Sequence, residues 1–428
     1  MKNIRTILLA MALTTATGSM AQSDLQQQFA NPPQEARPRV WWHWMNGNIS
    51  KYGIKKDLEW MHRAGIAGIH VFDAGLNTPQ IVPHRITYMT PEWKDCFRYA
   101  VHIADSLGMT MAIPSSPGWS NTGGPWVTPH DAMKKITWRA VRVKGGKKLT
   151  VNLPGIYTTT GHFQNVENTN SPETFSQQIG VVAVRMPDTD INIASLNPTI
   201  TVSKGEPTVA QLTDGDYGKG TRVEPDAEGN IWAQYTFEKP VTIKALSLSD
   251  GNNRSTWNSW SAPLYYRLET SNDGKTFTKV CDIPQSGTFQ QTIDLPPTTA
   301  RCFRVVCQLP QKDKQGEFVN LMEYNLYTTS RINFAEEKAG FTSFGDLDQY
   351  PSRPDSDVSA AGDVVVLTDK VDADGRLTWN APRGNWVIYR FGTSLFGSRN
   401  GPASPEATGL EVDKMDREAV HKYIEHYI

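Results

Sequence analysis

Cysteine is scarce in this chain: four residues in 428, at Cys96, Cys281, Cys302 and Cys307, with no C-x-x-C pair among them. That removes zinc ribbons and thioredoxin-like redox motifs from consideration. Cys281 with Cys302 or Cys307 is a conceivable bridge, but buried free thiols are the simpler expectation. Basic runs are also missing, and the formal net charge is −1, so nothing electrostatic points to nucleic acid as a partner. No G-x-G-x-x-G follows any strand-like run, so a dinucleotide-binding fold lacks its phosphate loop. No segment reaches the roughly 20 consecutive apolar residues that span a bilayer.

The longest apolar run is short and sits at the N-terminus. Lys2 and Arg5 precede Ile7–Ala16, and the small residues Ser19 and Ala21 follow. This is the pattern of a secretory signal peptide over residues 1–21, cut before Gln22. The expectation is an exported protein, periplasmic or secreted.

Two helix–strand units come next. Ser50 is placed to cap a helix carrying Ile54, Leu58 and Met61 on one face, with Gly65 as its stop. "IAGIHVFDAG" predicts a buried strand over Ile66–Phe72 that ends in Asp73. Thr90, Pro91 and Glu92 open a second helix with an apolar stripe of Phe97, Ala100, Val101, Ala104 and Leu107, which Gly108 ends. "MTMAIPSS" predicts a third strand over Met109–Ser116. Strands alternating with helices at this spacing imply a parallel sheet. In such folds the C-terminal strand ends form the ligand face.

Those ends carry an unusual mixture. "VWWHWMNGNIS" sets Trp41, Trp42 and Trp44 beside His43, Asn46 and Asn48, and "PSSPGWSNTGGPWV" sets Trp119 and Trp126 beside Ser115, Ser116, Ser120 and Asn121. Sugars present apolar C–H faces to aromatic rings and hydroxyls to paired donors and acceptors. The expectation is that His43, Trp44, Asn46, Asp73, Ser115, Trp119 and Trp126 converge on one sugar-sized hollow. His70 reads as a core histidine.

From Lys134 the pattern becomes all-β. A β-rich linker over 134–196 leads to a sandwich over 197–328 of short strands separated by turn residues such as Asn272-Asp273-Gly274, and a further β segment covers 329–400. "QLTDGDYGKGT", "SNDGKTF" and "RCFRVV" resemble the recurring motifs of discoidin-like, galactose-binding-like jelly rolls. That resemblance implies a structural calcium, to which Asp214 and Asp216 would contribute. Trp257 and Trp260 are further candidate sugar platforms. A Gly/Pro/Ser-rich stretch with Glu406, Glu411 and Asp413 then leads to a terminal helix that Asp416 caps.

The motifs "RPRVWWHWMNGNISKYGIKKDLEWMHRAGIAGIHVFD", "PSSPGWSNTGGPWVTP" and "ATGLEVDKMDREAV" together resemble glycoside hydrolase family 106, the α-L-rhamnosidases. The resemblance runs from about Arg37 to the end. It implies an α/β plus all-β fold: an incomplete (β/α)₈ barrel, with its first three strands in residues 22–133 and its re-entry in 401–428, interrupted by the inserted β-sandwich or jelly-roll domains. It implies inverting hydrolysis of rhamnose-containing glycans, a calcium requirement, and a catalytic acid and base downstream of Ile428. Glu411 is retained as a candidate substrate contact, and Glu406 reads as a loop contact. The competing readings are a carbohydrate-binding protein without chemistry and a glycosidase of another specificity.

Overall fold

In a computed structural model the protein is described over residues 25–120, 122–166, 172–250, 265–284, 287–308, 318–341, 347–353 and 357–427. The expected signal peptide, Asn121, Trp257 and Trp260 lie outside these residues. The chain divides into two compact units, one formed by the segment up to Met133 with Ser398–Ile428, the other by Lys134–Gly397.

The first unit is built on a parallel sheet of three strands, β1 (Arg39–Met45), β2 (Gly68–Ala74) and β3 (Thr110–Ala112), in the order β1-β2-β3. Helices α1 (Lys51–Arg63) and α2 (Pro91–Ser106) connect them. The Ser50 side chain accepts from the Gly53 N–H, and the Thr90 side chain accepts from the Trp93 N–H. Each satisfies one of the first-turn donors that a helix cannot pair internally. Gly65 and Gly108 follow the two helices with φ of 85° and 66°, conformations that admit glycine without strain.

Three local expectations shift. The second strand begins at Gly68, which pairs with Arg39 at the start of β1, and it continues through Asp73, which lies opposite Trp44. The third strand ends at Ala112, not Ser116. Pro114 and Pro117 offer no N–H to a ladder, and the carbonyls of Pro114 and Ser115 accept from the hydroxyls of Tyr427 and Tyr423 instead. On α2 the buried side is Trp93, Cys96, Ala100 and Ala104, so Val101 faces outward.

Both helices pack on one face of the sheet. Trp42, Trp44, Ile69 and Val71 bury there against Ile54, Leu58, Trp93 and Ala100. The re-entering segment brings helix α3 (Arg417–Tyr427), whose Tyr423 and Tyr427 rings lie beside Trp126 at 5.7 and 6.3 Å. The described residues contain no closed barrel, since the sheet has three strands.

Among its described residues the second unit is all-β apart from the one-turn helix Ala335–Lys338 and several 3₁₀ turns. Strands β4 (Lys134–Lys144), β6 (Ser176–Met186), β15 (Val364–Val366) and β17 (Asn385–Leu395) form a sheet ordered β15-β6-β17-β4, with β5 (Lys147–Asn152) and β16 (Arg376–Ala381) paired alongside. A larger sheet follows the order β11-β10-β12-β9-β14, with β7 (Thr199–Val202) also on β9, and β8 (Thr221–Val223) pairs with β13 (Val319–Leu321). Its members are β9 (Asn230–Ser249), β10 (Tyr265–Ser271), β11 (Thr278–Ile283), β12 (Gln290–Gln308) and β14 (Glu323–Tyr327). Where short strands were expected, β9 and β12 are single long ones that bend. Their pairing register slips around Pro296–Pro297 and again between Ala300 and Cys302, as proline in a ladder requires. All four cysteines are free thiols.

A buried carboxylate ties the smaller sheet to the larger one within this unit. Asp190 accepts from Arg142 of β4 at 2.5 Å, from Arg331 beyond β14 at 3.2 Å and from the Thr329 hydroxyl at 2.8 Å. The paired guanidinium and hydroxyl hold its pKa below the usual carboxylate value against the opposing effect of burial. We predict that Asp190→Ala lowers the unfolding free energy by about 2–4 kcal/mol in a urea titration, because two arginines lose a shared buried partner. A loss below roughly 0.5 kcal/mol would mean the pair carries no weight.

Candidate functional site

Strand alternation sorts the aromatic cluster into two faces. Successive side chains of a strand point to opposite sides. On β1 and β2, Trp42, Trp44, Ile69, Val71 and Asp73 therefore face the helices, while Trp41, His43, His70 and Phe72 face the other way. No described helix covers that second face. Trp41 is 63% exposed and His43 is exposed, with Phe72 buried between them. Trp119, carried on the loop after β3, completes the patch and is 42% exposed. Ring centroids lie 5.9 Å apart for Trp41–His43, 5.5 Å for His43–Trp119 and 5.6 Å for His43–Phe72. The result is a continuous aromatic surface with an imidazole at its centre.

The loop holding Trp119 is fixed from the re-entering segment. The Trp119 and Ser120 N–H groups both donate to the Gly401 carbonyl. Gly118 has φ of 78°, and a Cβ there would lie 2.5 Å from the Gly401 carbonyl carbon, so glycine is required twice over. Asn400, fully buried, donates to the Pro117 and Ala407 carbonyls and accepts from the Gly409 N–H. Its amide is saturated by two loops.

The single hollow expected for seven residues does not form. His43 and Trp119 come together. Trp44 does not join them: it is 1% exposed and packs edge-on against Trp42 and Trp93 on the helix face. Asp73 is on that helix face too. Asn46 sits in the left-handed region with φ of 53°, and its amide is used up by the Thr78 carbonyl and the Arg85 guanidinium. The Ser115 hydroxyl pairs with Thr122 at 3.0 Å. Trp126 packs on α3, with its ring stacked on His426. Glu411 is buried, ion-paired with Lys414 and held in a β-bridge to Gly123. His70 is half-buried on the aromatic face, 4.2 Å from Phe72, and its Nε2 has no hydrogen-bond partner among the described residues.

Two residues that the sequence reading passed over hold the strand ends. Arg85 makes a two-pronged ion pair with Glu406 at 2.7 and 2.9 Å, while its Nε donates to the Asn46 carbonyl at 2.8 Å. The Arg85 guanidinium draws the Glu406 carboxyl down to about 2. Trp93 donates its indole N–H to Asp73 Oδ2 at 2.8 Å. A signal for the face assignment was present: a period of two across "WWHW" separates Trp41 and His43 from Trp42 and Trp44. Arg85 and Glu406 carried only their opposite charges, 321 residues apart.

Asp73 is the most perturbed carboxyl of this unit. It is 6% exposed, and burial pushes it up to about 7, against the pull of the Trp93 hydrogen bond and the Arg85 charge.

In the second unit the proposed calcium residues separate. Asp216 has both oxygens engaged, by the Gly218 N–H and Asn165 amide on one and by Lys219 on the other, which makes it a turn residue. Asp214 serves the same turn, its Oδ1 accepting from the Asp216 N–H at 2.7 Å, and it also faces Glu323, a fully buried carboxyl on β14 that accepts from the Gly215 N–H and the Asn325 amide. Two carboxylates converging without a basic partner between them fit a hard cation that completes its shell with carbonyls and water. Among the described residues no group of three or more His, Cys, Asp or Glu side chains is gathered.

Comparison with known proteins places this arrangement. A family model described as alpha-L-rhamnosidase, glycoside hydrolase family 106, matches residues 30–428. The chain belongs to this family of glycosidases. It is 40% identical to a rhamnosidase from Novosphingobium sp. PP1Y of known structure, with a TM-score of 0.82 over 94% of this chain and 37% of that one. A protein of Formosa agariphila named "Putative beta-glucuronidase" is 35% identical over 144 residues, which is 34% of this chain and 12% of that protein. The chain thus spans well under half the length of either relative.

Asp73 yields a stability prediction. A carboxyl whose folded pKa is raised binds its proton more tightly folded than unfolded. Its contribution is therefore complete below the unfolded value near 4 and is lost as pH rises through about 7. We predict that the stability of the first unit falls between about pH 4 and pH 7, by on the order of 4 kcal/mol, and that Asp73→Asn flattens this slope. An unchanged slope in the variant would assign the effect to other groups.

Proposed function

We propose that this chain supplies the substrate-recognition face of an exported glycoside hydrolase of α-L-rhamnosidase type. The observation that carries the reading is the exposed Trp41–His43–Trp119 surface, which runs along the uncovered face of a parallel sheet from mid-strand at Trp41 to the loop after β3. Exposed tryptophans on a sheet face that helices do not cover are costly unless something apolar rests on them. A 6-deoxy sugar has such a surface in its ring C–H face and methyl group, and His43 offers a hydrogen-bonding nitrogen to its hydroxyls. The same open face and the single-partner edges of β1 and β3 suit completion of a (β/α)₈ barrel by further strands of a longer protein.

Inverting hydrolysis needs one carboxylic acid and one carboxylate about 6.5–9.5 Å apart. Three carboxyls of the first unit that come under consideration are already committed: Asp73 to the helix face, Glu406 to Arg85 and Glu411 to Lys414. None of these three is free to serve as the acid or the base. In the second unit, Asp214 and Glu323 would hold a structural calcium ion, which would neutralise two facing carboxylates.

The test of the main reading is hydrolysis of an aryl α-L-rhamnoside by the full-length enzyme, with an aryl β-glucuronide alongside. We expect release from the rhamnoside, and a KM at least tenfold higher for Trp119→Ala with a smaller change in kcat. Turnover of the glucuronide alone would transfer the enzyme to another specificity. For the calcium site, added calcium is expected to raise the melting temperature of the wild-type chain and to leave that of Glu323→Gln unchanged. An equal rise in both would remove Glu323 from the site.

A further inference from the structure

The helix side of the β2 and β3 ends encloses a cavity of about 260 Å³, on the opposite side of the sheet from the aromatic face. Asp73 lines it, together with Tyr88, Trp93, Phe97 and Tyr427. We propose that this cavity is a second carbohydrate-binding pocket, distinct from the Trp41–His43–Trp119 surface, which takes one neutral monosaccharide ring. The choice of a sugar rests in part on the glycosidase reading; the existence of the pocket does not.

Size, walls and floor each narrow the ligand. The volume lies just below the range for drug-sized small-molecule pockets, roughly 300–1,000 Å³, so the cavity has room for no more than a single ring. Trp93 and Phe97 stack at 5.3 Å and 11°, presenting aromatic surface of the kind that covers a ring's C–H face. The Asp73 carboxyl is nine-tenths buried. Its Oδ2 accepts from Trp93, and its other oxygen meets no donor among the described residues. Because Asp73 lines the cavity, that oxygen is open to it, and a ligand hydroxyl would pair with it. Burial pushes the carboxyl up to about 7, which brings its protonated, hydrogen-bond-donating form within reach beside the accepting carboxylate.

Charge selects against the alternatives. Lys94 and Arg98, both exposed, line the same cavity. Their positive charges disfavour an amine, and the buried carboxyl disfavours an acid driven to the floor. A neutral polyol meets neither repulsion. Because Asp73 and Phe72 are adjacent on β2, their side chains lie on opposite faces, and no single ring can touch both.

The test is isothermal titration of the full chain with L-rhamnose, using Ile113→Trp to fill the cavity, Asp73→Asn to alter its floor, and Trp119→Ala on the opposite face. Circular dichroism confirms folding of each variant. We expect two equivalents bound, one lost in Trp119→Ala and the other lost in Ile113→Trp, with Asp73→Asn weakening only the second by at least fivefold. A single equivalent removed by Trp119→Ala overturns the pocket and leaves the aromatic face standing. A single equivalent removed by Ile113→Trp supports the pocket and overturns the aromatic face as the sugar surface. No binding at all overturns both. Stronger occupation of the cavity by benzylamine than by the sugar would overturn the ligand class.

Discussion

In the first unit, adjacent side chains of a strand cannot share a face, and two helices cover only one face of three parallel strands. From this it follows that Trp42, Trp44 and Val71 build a core against α1 and α2 while Trp41, His43 and Phe72 are turned away from it. A tryptophan buries roughly 150–250 Å², which at about 25 cal/mol per Å² is on the order of 4–6 kcal/mol of transfer free energy before entropy is counted. Trp44 realises that gain at 1% exposure; Trp41, at 63%, does not. Two chemically identical side chains three positions apart thus do opposite things. One holds the fold, and the other is free to meet a ligand or a further layer of protein.

Rigidity at the strand ends comes from groups that are far apart in sequence. Arg85 connects the turn after β1 to the re-entering segment through Glu406, and Asn400 fastens the loop beneath Trp119. Backbone strain gathers in the same region. Asn46, Leu76, Asn77 and Met89 all have positive φ on loops of this unit, and such residues persist only where surrounding contacts over-determine them. The long insertion costs little to close, because loop entropy grows only logarithmically with length. A bidentate charged pair and a saturated buried amide are enough to hold residues 398–428 against the sheet.

What the sequence disclosed follows the range of the interaction. The caps Ser50 and Thr90 and the stops Gly65 and Gly108 were legible because each acts within four residues. His43 and Trp119 were found as site candidates by residue type. Trp44, Asn46 and Trp126 were chosen by the same criterion and have packing or loop roles, because residue type does not say which way a side chain points. The alternation of "WWHW" did say so for β1, and it was the stronger signal. Glu323 was missed because its partner Asp214 lies on another strand's turn, and no local pattern links them. The bends in β9 and β12 were hidden for a related reason: the ladder slips register around Pro296–Pro297 and carries on, which no local pattern shows.

The carboxyls of the first unit sharpen the division of labour within such an enzyme. A general acid must be able to surrender its proton, and a base must be free to take one. Glu406 is locked as an anion by a guanidinium on both oxygens, so protonating it would break the clamp that holds the strand ends. Glu411 is paired with Lys414 inside a β-bridge. Asp73 alone sits near neutrality, yet it faces the helices, across the sheet from the aromatic surface. On the proposed reading, a sugar lying on Trp41 and Trp119 meets apolar rings and imidazole, and none of these three carboxyls lies on that face to transfer a proton to its glycosidic oxygen.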